Sequence, residues 1–452
     1  MRILHYFLGF PPYRTGGLTK YAFDLMKTQA EQGETVAALW PGQMRLFRSD
    51  IFVKKRRNVG QIENYELINP LPVPLDEGIV QQKSFTKACE KMVYRNFLSK
   101  LRPDVIHIHT LMGLHRELVV VAREMNIRTV FTTHDYFGIC PKVTLYRQGS
   151  VCEQDHNCED CVQCNRHALS VEKIWVMQSP AYRYLKDSFV VKRLRKRHRR
   201  DYFTENTVPE PQISEEMIAV KSGEYRELRE YYCGMLSDID MIHFNSSVAE
   251  MIYKRYIVPK DSKVITITHR GIQDNRQRNK WIPADELRIT FLAAPRPFKG
   301  FEILKDVLDS LWSSGKKNFK LKVFGPVGNP SPYMQISEGG FQTSQLKDIL
   351  AETDVVAAPS IWYETFGFTV LEAISYGVPV IVSDHVGAKD IIGDGGIVVA
   401  SGSKEAIKSV ILSLTPFKLK KMRESIQKTS IIMTWDQFVY ENNSLYQRRN
   451  GN

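Results

Sequence analysis

Short apolar runs alternate with amphipathic stretches of helical period in two separate parts of the chain. Residues 4–7 are apolar, Pro11 and Pro12 break the chain, and Gly16-Gly17 leads into an amphipathic stretch over about 18–32. Gly33 ends that stretch before a second apolar run at 35–39, so the opening predicts strand, helix, strand. The alternation returns with strands at 104–109 (DVIHIH) and 128–134 around a helix over 115–125. A strand at 238–245, a helix over 248–256 with Ser246-Ser247 as its cap, and a strand at 263–268 follow. After a linker at 274–283 a second series begins. It has strands at 288–293, 320–325, 353–358, 378–382 and 396–399, helices between them, and a last helix over 435–446. The pattern predicts an α/β protein of two doubly wound domains, at 1–273 and 284–432, followed by a terminal helical segment at 433–452. Residues 43–100, with a basic patch at 54–57 and a proline-rich turn at 70–74, and residues 165–235 give weaker signals.

A chain of 452 residues is too long for one core, and two or three domains are expected. No apolar run reaches the length of a membrane span. The first seven residues, MRILHYF, read as a strand and not as a signal peptide, and a cytoplasmic protein is expected. The net charge of +12 is concentrated at 192–200 (KRLRKRHRR), with seven Lys/Arg and one His. Trp175, Tyr182, Leu185, Phe189, Val190, Val191 and Leu194 flank or interrupt this run, which suits a basic helix on an anionic membrane face or a solvated helical face. Nucleic acid is not the expected partner.

Five of the seven cysteines fall within 25 residues: Cys140, Cys152, Cys158, Cys161 and Cys164. The Cys158-x2-Cys161-x2-Cys164 spacing wraps a tetrahedral metal, so a structural Zn²⁺ held by four thiolates is expected, with Cys164 as a possible substitute ligand. Disulfides are not expected in the absence of a secretion signal.

The candidate chemistry centres on 359–373, PSIWYETFGFTVLEA, between a strand and a helix predicted to begin near Thr369. Glu364 lies in the loop after a strand, where open α/β sheets bind ligands. Gly367 permits close backbone approach, and the helix N-terminus offers N–H groups to an anion. Glu372, one turn in, suits a pair of ligand hydroxyls, although Thr369-x-x-Glu372 also fits a capping box. His109 and His134-Asp135 end two predicted parallel strands. Arg296 and Lys299 supply cations for a phosphate, or else form an exposed basic loop. Gly16-Gly17 lacks the Gly-x-Gly-x-x-Gly spacing of a dinucleotide site, which disfavours hydride transfer, and by itself reads as a tight turn.

Glu364-x7-Glu372 with Phe366-Gly367-Phe368 inside it, Pro359-Ser360 before it and the AISYGVPVI tail (373–381) after it resemble the retaining glycosyltransferases of family 4. The resemblance implies the GT-B architecture, two Rossmann-like domains facing across a cleft, with the last helix crossing back onto the first domain. It implies that Glu364 contacts the transferred sugar and Glu372 the nucleotide ribose. Phe366, Gly367, Phe368 and Thr369 border the donor, and Arg296 and Lys299 neutralise its diphosphate. Gly16-Gly17 faces that diphosphate, and His109 and His134 face acceptor and sugar. The loop from Arg296 to Lys299 is shorter than the family pattern, and His269-Arg270-Gly271-Ile272 keeps only the glycine of the usual motif. A subset of the family carries a cysteine knuckle that maps onto His134, Cys140, Cys152, Cys158 and Cys161. The implied reaction is sugar transfer from a UDP-, GDP- or ADP-linked donor to a hydroxyl acceptor, with no catalytic metal. The basic insertion suggests a lipid-linked saccharide acceptor in bacterial surface-polysaccharide assembly. A nucleotide-sugar epimerase of the same fold and a non-catalytic zinc-bearing adaptor are the alternatives.

Overall fold

Parallel strands covered on both faces are apolar nearly throughout, and two sets of such runs build this chain. The computed structural model describes all residues except 46–47, 148, 154–156, 196, 198–212, 278–280, 429–431 and 448–452. Much of the basic run at 192–200 therefore lies outside the described residues.

The first sheet contains β1 (Arg2–Tyr6), β2 (Thr35–Pro41), β3 (Phe52–Val59), β4 (Ile62–Ile68), β5 (Val105–Ile108), β6 (Arg128–Thr132), β9 (Met241–Phe244) and β10 (Ser262–Val264). Its order is β10-β9-β6-β5-β1-β2-β4-β3, parallel except for the edge strand β3. A short hairpin, β7 (Tyr146–Arg147) and β8 (Ser150–Val151), stands apart within the cysteine-rich segment. The second sheet contains β11 (Leu287–Phe291), β12 (Phe319–Phe324), β13 (Met334–Ser337), β14 (Val355–Ala358), β15 (Val380–Ser383) and β16 (Gly396–Val399). Its order is β13-β12-β11-β14-β15-β16, all parallel.

Both orders reverse direction once, between β1 and β5 in the first sheet and between β11 and β14 in the second. Ligands of doubly wound sheets bind beyond the strand ends at such a switch point. The loops after β1 and β5 carry Gly16 and His109; the loops after β11 and β14 carry Lys299 and Glu364.

The helix Trp435–Ser444 is capped by Thr434 and Gln437 in a capping box. It packs on the first-sheet helix Gly17–Glu31, where Trp435 Nε1 donates to Thr28 Oγ1 at 2.8 Å and the Phe438 ring lies 5.7 Å from that of Tyr21. Arg128 Nε donates to Leu445 O, so the terminal segment is bound to the first sheet as well.

Candidate functional site

Gly300 sets the geometry on the second-sheet side. Its φ is +76°, and a Cβ there would overlap the Pro359 carbonyl, so glycine alone lets the loop after β11 lie against the loop after β14. The 3-10 turn Pro297–Lys299 forms that contact. Phe298 O accepts from the backbone N–H groups of Ile361 (2.9 Å) and Trp362 (3.2 Å). Lys299 Nζ then reaches Glu364 Oε1 at 2.5 Å and stands 4.9 Å above the Trp362 ring. Ser360 Oγ donates to the second Glu364 oxygen at 2.9 Å. Arg296 lies beside the Phe298 ring.

The helix Phe368–Ser375 starts after Gly367, which has φ +106° and no side-chain cap behind it. The capping-box alternative for Thr369 and Glu372 is therefore not realised. Glu372 points instead toward the first domain, where His269 Nε2 stands 3.9 Å from its Oε1. Gly271 N donates to His269 Nδ1 (3.1 Å), which leaves the proton of the neutral ring on Nε2, toward the carboxylate. The His269 ring meets Phe368 edge-on at 5.3 Å. Burial raises the Glu372 carboxyl to about 7, against a smaller opposing effect of Lys20, and burial lowers His269 to about 4. Phe366 is fully buried and packs on Phe368, so its side chain serves the core beneath the loop.

From the first sheet, His134 O accepts from Thr365 Oγ1 at 3.1 Å, and Ser246 Oγ donates to Thr365 O at 2.5 Å. These bonds hold the Glu364 loop directly against the ends of β6 and β9. A cavity of about 380 Å³ opens there, lined from one side by His134, Asp135 and Tyr136 and from the other by Arg296, Lys299 and Trp362. Burial raises Asp135 to about 6 and lowers His134 to about 3, so the histidine is neutral. His109 lies one ring deeper, 5.7 Å from His134 between centroids, and is almost fully buried. Gly16, at φ +125°, opens the helix Gly17–Glu31 in free space and is not among the residues that bound the cavity; nor is Gly17.

The cysteine-rich segment adjoins this site. Glu153 Oε1 accepts from Tyr363 OH at 2.9 Å, and Tyr146 lies 6.0 Å from Phe298. Cys158 and Cys161 are buried, while Cys140, Cys152 and Cys164 are partly exposed, and no disulfide joins any of the seven cysteines. Arg229 Nη2 donates to Cys161 Sγ at 3.5 Å, and the guanidinium also feels Cys158 and Cys140. The hydrogen bond with Cys158 and burial push the Cys161 thiol well up against the smaller opposing effect of Arg229, and burial raises Cys164 to about 11, so without a metal these sulfurs favour the protonated form.

Among the described residues, the one group of three or more His, Cys, Asp or Glu side chains whose ligand atoms lie within 4.8 Å of one another is His5, His107 and His109; the cysteines expected to hold a metal are not brought together in this way. Both ring nitrogens of His5 and of His107 already hold hydrogen bonds to protein atoms, so these three rings form a polar network more readily than a metal cage.

His269, Lys20, Thr365 and Trp362 are site residues that sequence reasoning did not single out. A histidine at a strand end and a threonine beside Glu364 were the available signals.

Comparison with known proteins gives these positions a context. Residues 15–164 match the family model described as Glycosyltransferase Family 4, and residues 273–431 match Glycosyl transferases group 1. Sucrose-phosphate synthase of Spinacia oleracea is 28% identical over 123 residues, 26% of this chain and 11% of that protein. An uncharacterized glycosyltransferase of Methanocaldococcus jannaschii is 25% identical over 186 residues, 36% of this chain and 46% of that one. The matched stretches thus span less than half the length of either relative. The sucrose-phosphate synthase structure from Thermosynechococcus elongatus superposes with a TM-score of 0.54 at 16% identity, covering 98% of both chains, which establishes the GT-B fold. One family model falls within the first sheet's part of the chain and the other on the second, and the chain belongs to the family 4 glycosyltransferases.

Proposed function

We propose that the protein transfers a sugar, with retention, from a nucleotide-sugar donor to a hydroxyl acceptor bound on the first domain. The observation that carries this reading is the cavity in which Lys299, Arg296 and Trp362 face His134 and Asp135 across the two sheets. Lys299 and Arg296 supply the positive charge that a departing diphosphate needs, and electrostatic stabilisation of that kind is the largest lever in group transfer. The free N–H groups after Gly367 add a helix N-terminus to it. Glu364, held by Ser360 and Lys299, is placed to grip sugar hydroxyls, and Glu372 to hold the ribose. His134 and His109 orient sugar and acceptor. Residues 1–273 and 284–432 act as acceptor and donor domains, and 433–452 ties the chain back onto the first.

A structural Zn²⁺ on Cys140, Cys152, Cys158 and Cys161, with Cys164 as substitute, is proposed from the spacing of these cysteines in one short segment. Its role is to order the segment that presents Tyr146 and Glu153 to the donor loops.

The acceptor is proposed to be a lipid-linked saccharide at an anionic membrane face, in bacterial surface-polysaccharide assembly, reached from the cytoplasm. Tyr184 and Phe189 are 90% and 78% exposed, and Leu185, Val190 and Leu194 stand out beside them next to Lys192, Arg193 and Arg195. Large exposed apolar side chains interleaved with cations suit a lipid interface. No described helix is long and apolar enough to cross a membrane.

Thermal unfolding with UDP, GDP and ADP in turn tests the donor site. A nucleotide held at about a hundred times its Kd stabilises by roughly 2.7 kcal/mol. One responding nucleotide is expected, with the response lost in Lys299→Ala. No response to any of the three would overturn the assignment of the cavity.

A further inference from the structure

Beneath the cavity, histidines of β1, β5 and β9, bridged by Thr132 of β6, lie in one buried layer under the terminal segment. His5 of β1 pairs in register with His107 of β5, and His243 of β9 pairs with Thr132 of β6. Their hydrogen bonds form a chain whose direction a single backbone carbonyl decides.

His243 Nε2 faces Ile265 O at 2.8 Å, and a carbonyl can only accept, so the proton sits on Nε2. Burial lowers His243 to about 4, so its Nδ1 is a lone pair and takes the hydroxyl proton of Thr132 at 2.9 Å. Thr132 has no second proton, and its oxygen therefore accepts from His107 Nε2–H at 2.7 Å. His107 Nδ1 is in turn a lone pair and accepts from Tyr446 OH at 2.8 Å. The Tyr446 oxygen then accepts from Asn442 Nδ2 (2.9 Å) and from Gln29 Nε2 (3.0 Å). With its amide nitrogen committed to Tyr446 and to Asn443 Oδ1, Gln29 turns its carbonyl to His5, which donates from Nε2 at 2.8 Å. His5 Nδ1 is left to accept from His109 Nε2–H at 3.0 Å. All four rings share one tautomer, and the chain ends on His109 Nδ1, a buried lone pair with no hydrogen-bond partner. Beyond His5 and His107, the rings next to His109 are those of Tyr21 and of His134, whose Nε2 is likewise buried without a partner.

We infer that Tyr446, Gln29 and His5 are positioning residues of the transfer site: they fix His109 as the Nε2–H tautomer and so present its Nδ1 as a hydrogen-bond acceptor for a hydroxyl brought in beside His134. This rests on the reading that His109 and His134 serve acceptor and sugar. It makes the terminal segment, remote in sequence, part of the apparatus that orients the site.

The test combines ¹⁵N spectroscopy of the full chain labelled at histidine with turnover. Turnover is followed as release of nucleoside diphosphate from UDP-glucose, GDP-mannose or ADP-glucose, whichever is used. His109 resonances are identified by their loss in His109→Asn. The expected spectrum shows His5, His107, His109 and His243 as neutral Nε2–H tautomers. In Tyr446→Phe, with unchanged circular dichroism, His109 is expected to populate the second tautomer and kcat to fall about tenfold, with KM for the donor unchanged. Gln29→Leu, which removes the acceptor of the His5 Nε2–H and leaves Tyr446 in place, is expected to release the same second tautomer of His109 even if Tyr446→Phe folds poorly. A parent protein with His109 protonated at Nδ1 would overturn the relay. Unchanged turnover in Tyr446→Phe despite mixed tautomers, with turnover lost in His109→Ala, would overturn the positioning role alone. Unchanged turnover in both variants would instead remove His109 from the transfer site.

Discussion

Lys299 and Glu364 form a 2.5 Å ion pair between the loops that leave the two central strands of the second sheet. The pair stands at the switch point, so the cation proposed for the diphosphate and the carboxylate proposed for the sugar share one partly buried position. Each holds the other in place. A diphosphate that takes Lys299 thereby frees a Glu364 oxygen for sugar hydroxyls, while Ser360 keeps the other oxygen fixed.

That coupling separates binding from chemistry. Glu364→Gln removes the charge that competes for Lys299, so affinity for the nucleoside diphosphate is expected to be kept or to rise. The grip on the sugar is lost, and kcat is expected to fall on the order of a hundredfold or more, as for removal of one preorganised group. Calorimetric titration of the responding nucleotide against the variant, alongside turnover, checks both halves. Unchanged turnover would remove Glu364 from the site.

Glu372 gives a pH signature. Its folded-state carboxyl is raised to about 7 by burial, above the ordinary glutamate value. The neutral form is therefore favoured in the fold, and the stability it brings is complete below the unfolded value and lost as pH rises through about 7. Glu372→Gln, neutral at every pH, is expected to unfold at higher temperature than the parent near about pH 8, by on the order of 2–3 kcal/mol. Near about pH 5 the gain should shrink to below about 1 kcal/mol. Parallel thermal melts at the two pH values decide it; an equal difference at both would mean that the carboxyl titrates normally.

The switch-point loops were legible because their signals are local. An apolar run followed by Pro-Ser and Glu-x7-Glu, or by His at a strand end, places a residue at the strand's C-terminal end without any tertiary knowledge. The edge strand Phe52–Val59 was not legible, since its sequence, FVKKRRNV, is basic where a buried strand would be apolar. An edge that faces water tolerates such charge and is protected by it from pairing with other chains. The approach of His269 to Glu372 was hidden for another reason. It joins the end of one domain to a helix of the other, and no periodicity in either segment encodes that meeting. His109 could be placed at its strand end, but its tautomer is tied to Tyr446, just beyond the terminal helix, a contact that only the folded chain supplies.

A zinc ion in the cysteine-rich segment, as proposed, would connect metal content to donor binding. Tyr146 and Glu153 touch Phe298 and Tyr363, so the order of this segment is felt at the donor loops. Metal analysis of the purified protein is expected to show close to stoichiometric zinc. Cys158→Ser combined with Cys161→Ser is expected to lose it, lower the melting temperature and raise KM for the donor severalfold. A parent protein without zinc would refute the site. Zinc loss with unchanged KM would confine it to stability.

The basic run provides the last test. Each Lys or Arg near an anionic bilayer contributes about 1 kcal/mol, within roughly a Debye length of the surface. Replacing the seven Lys/Arg of 192–200 by Gln should therefore abolish co-sedimentation with phosphatidylserine-containing vesicles at low salt. Replacing Phe189 and Leu194 by Ser removes apolar contact and leaves the charge, so binding should weaken at all salt concentrations without changing its salt dependence. The two variants separate electrostatic attraction from insertion. If both bind vesicles as the parent does, the exposed apolar and basic side chains face water, and the acceptor must be sought among soluble saccharides.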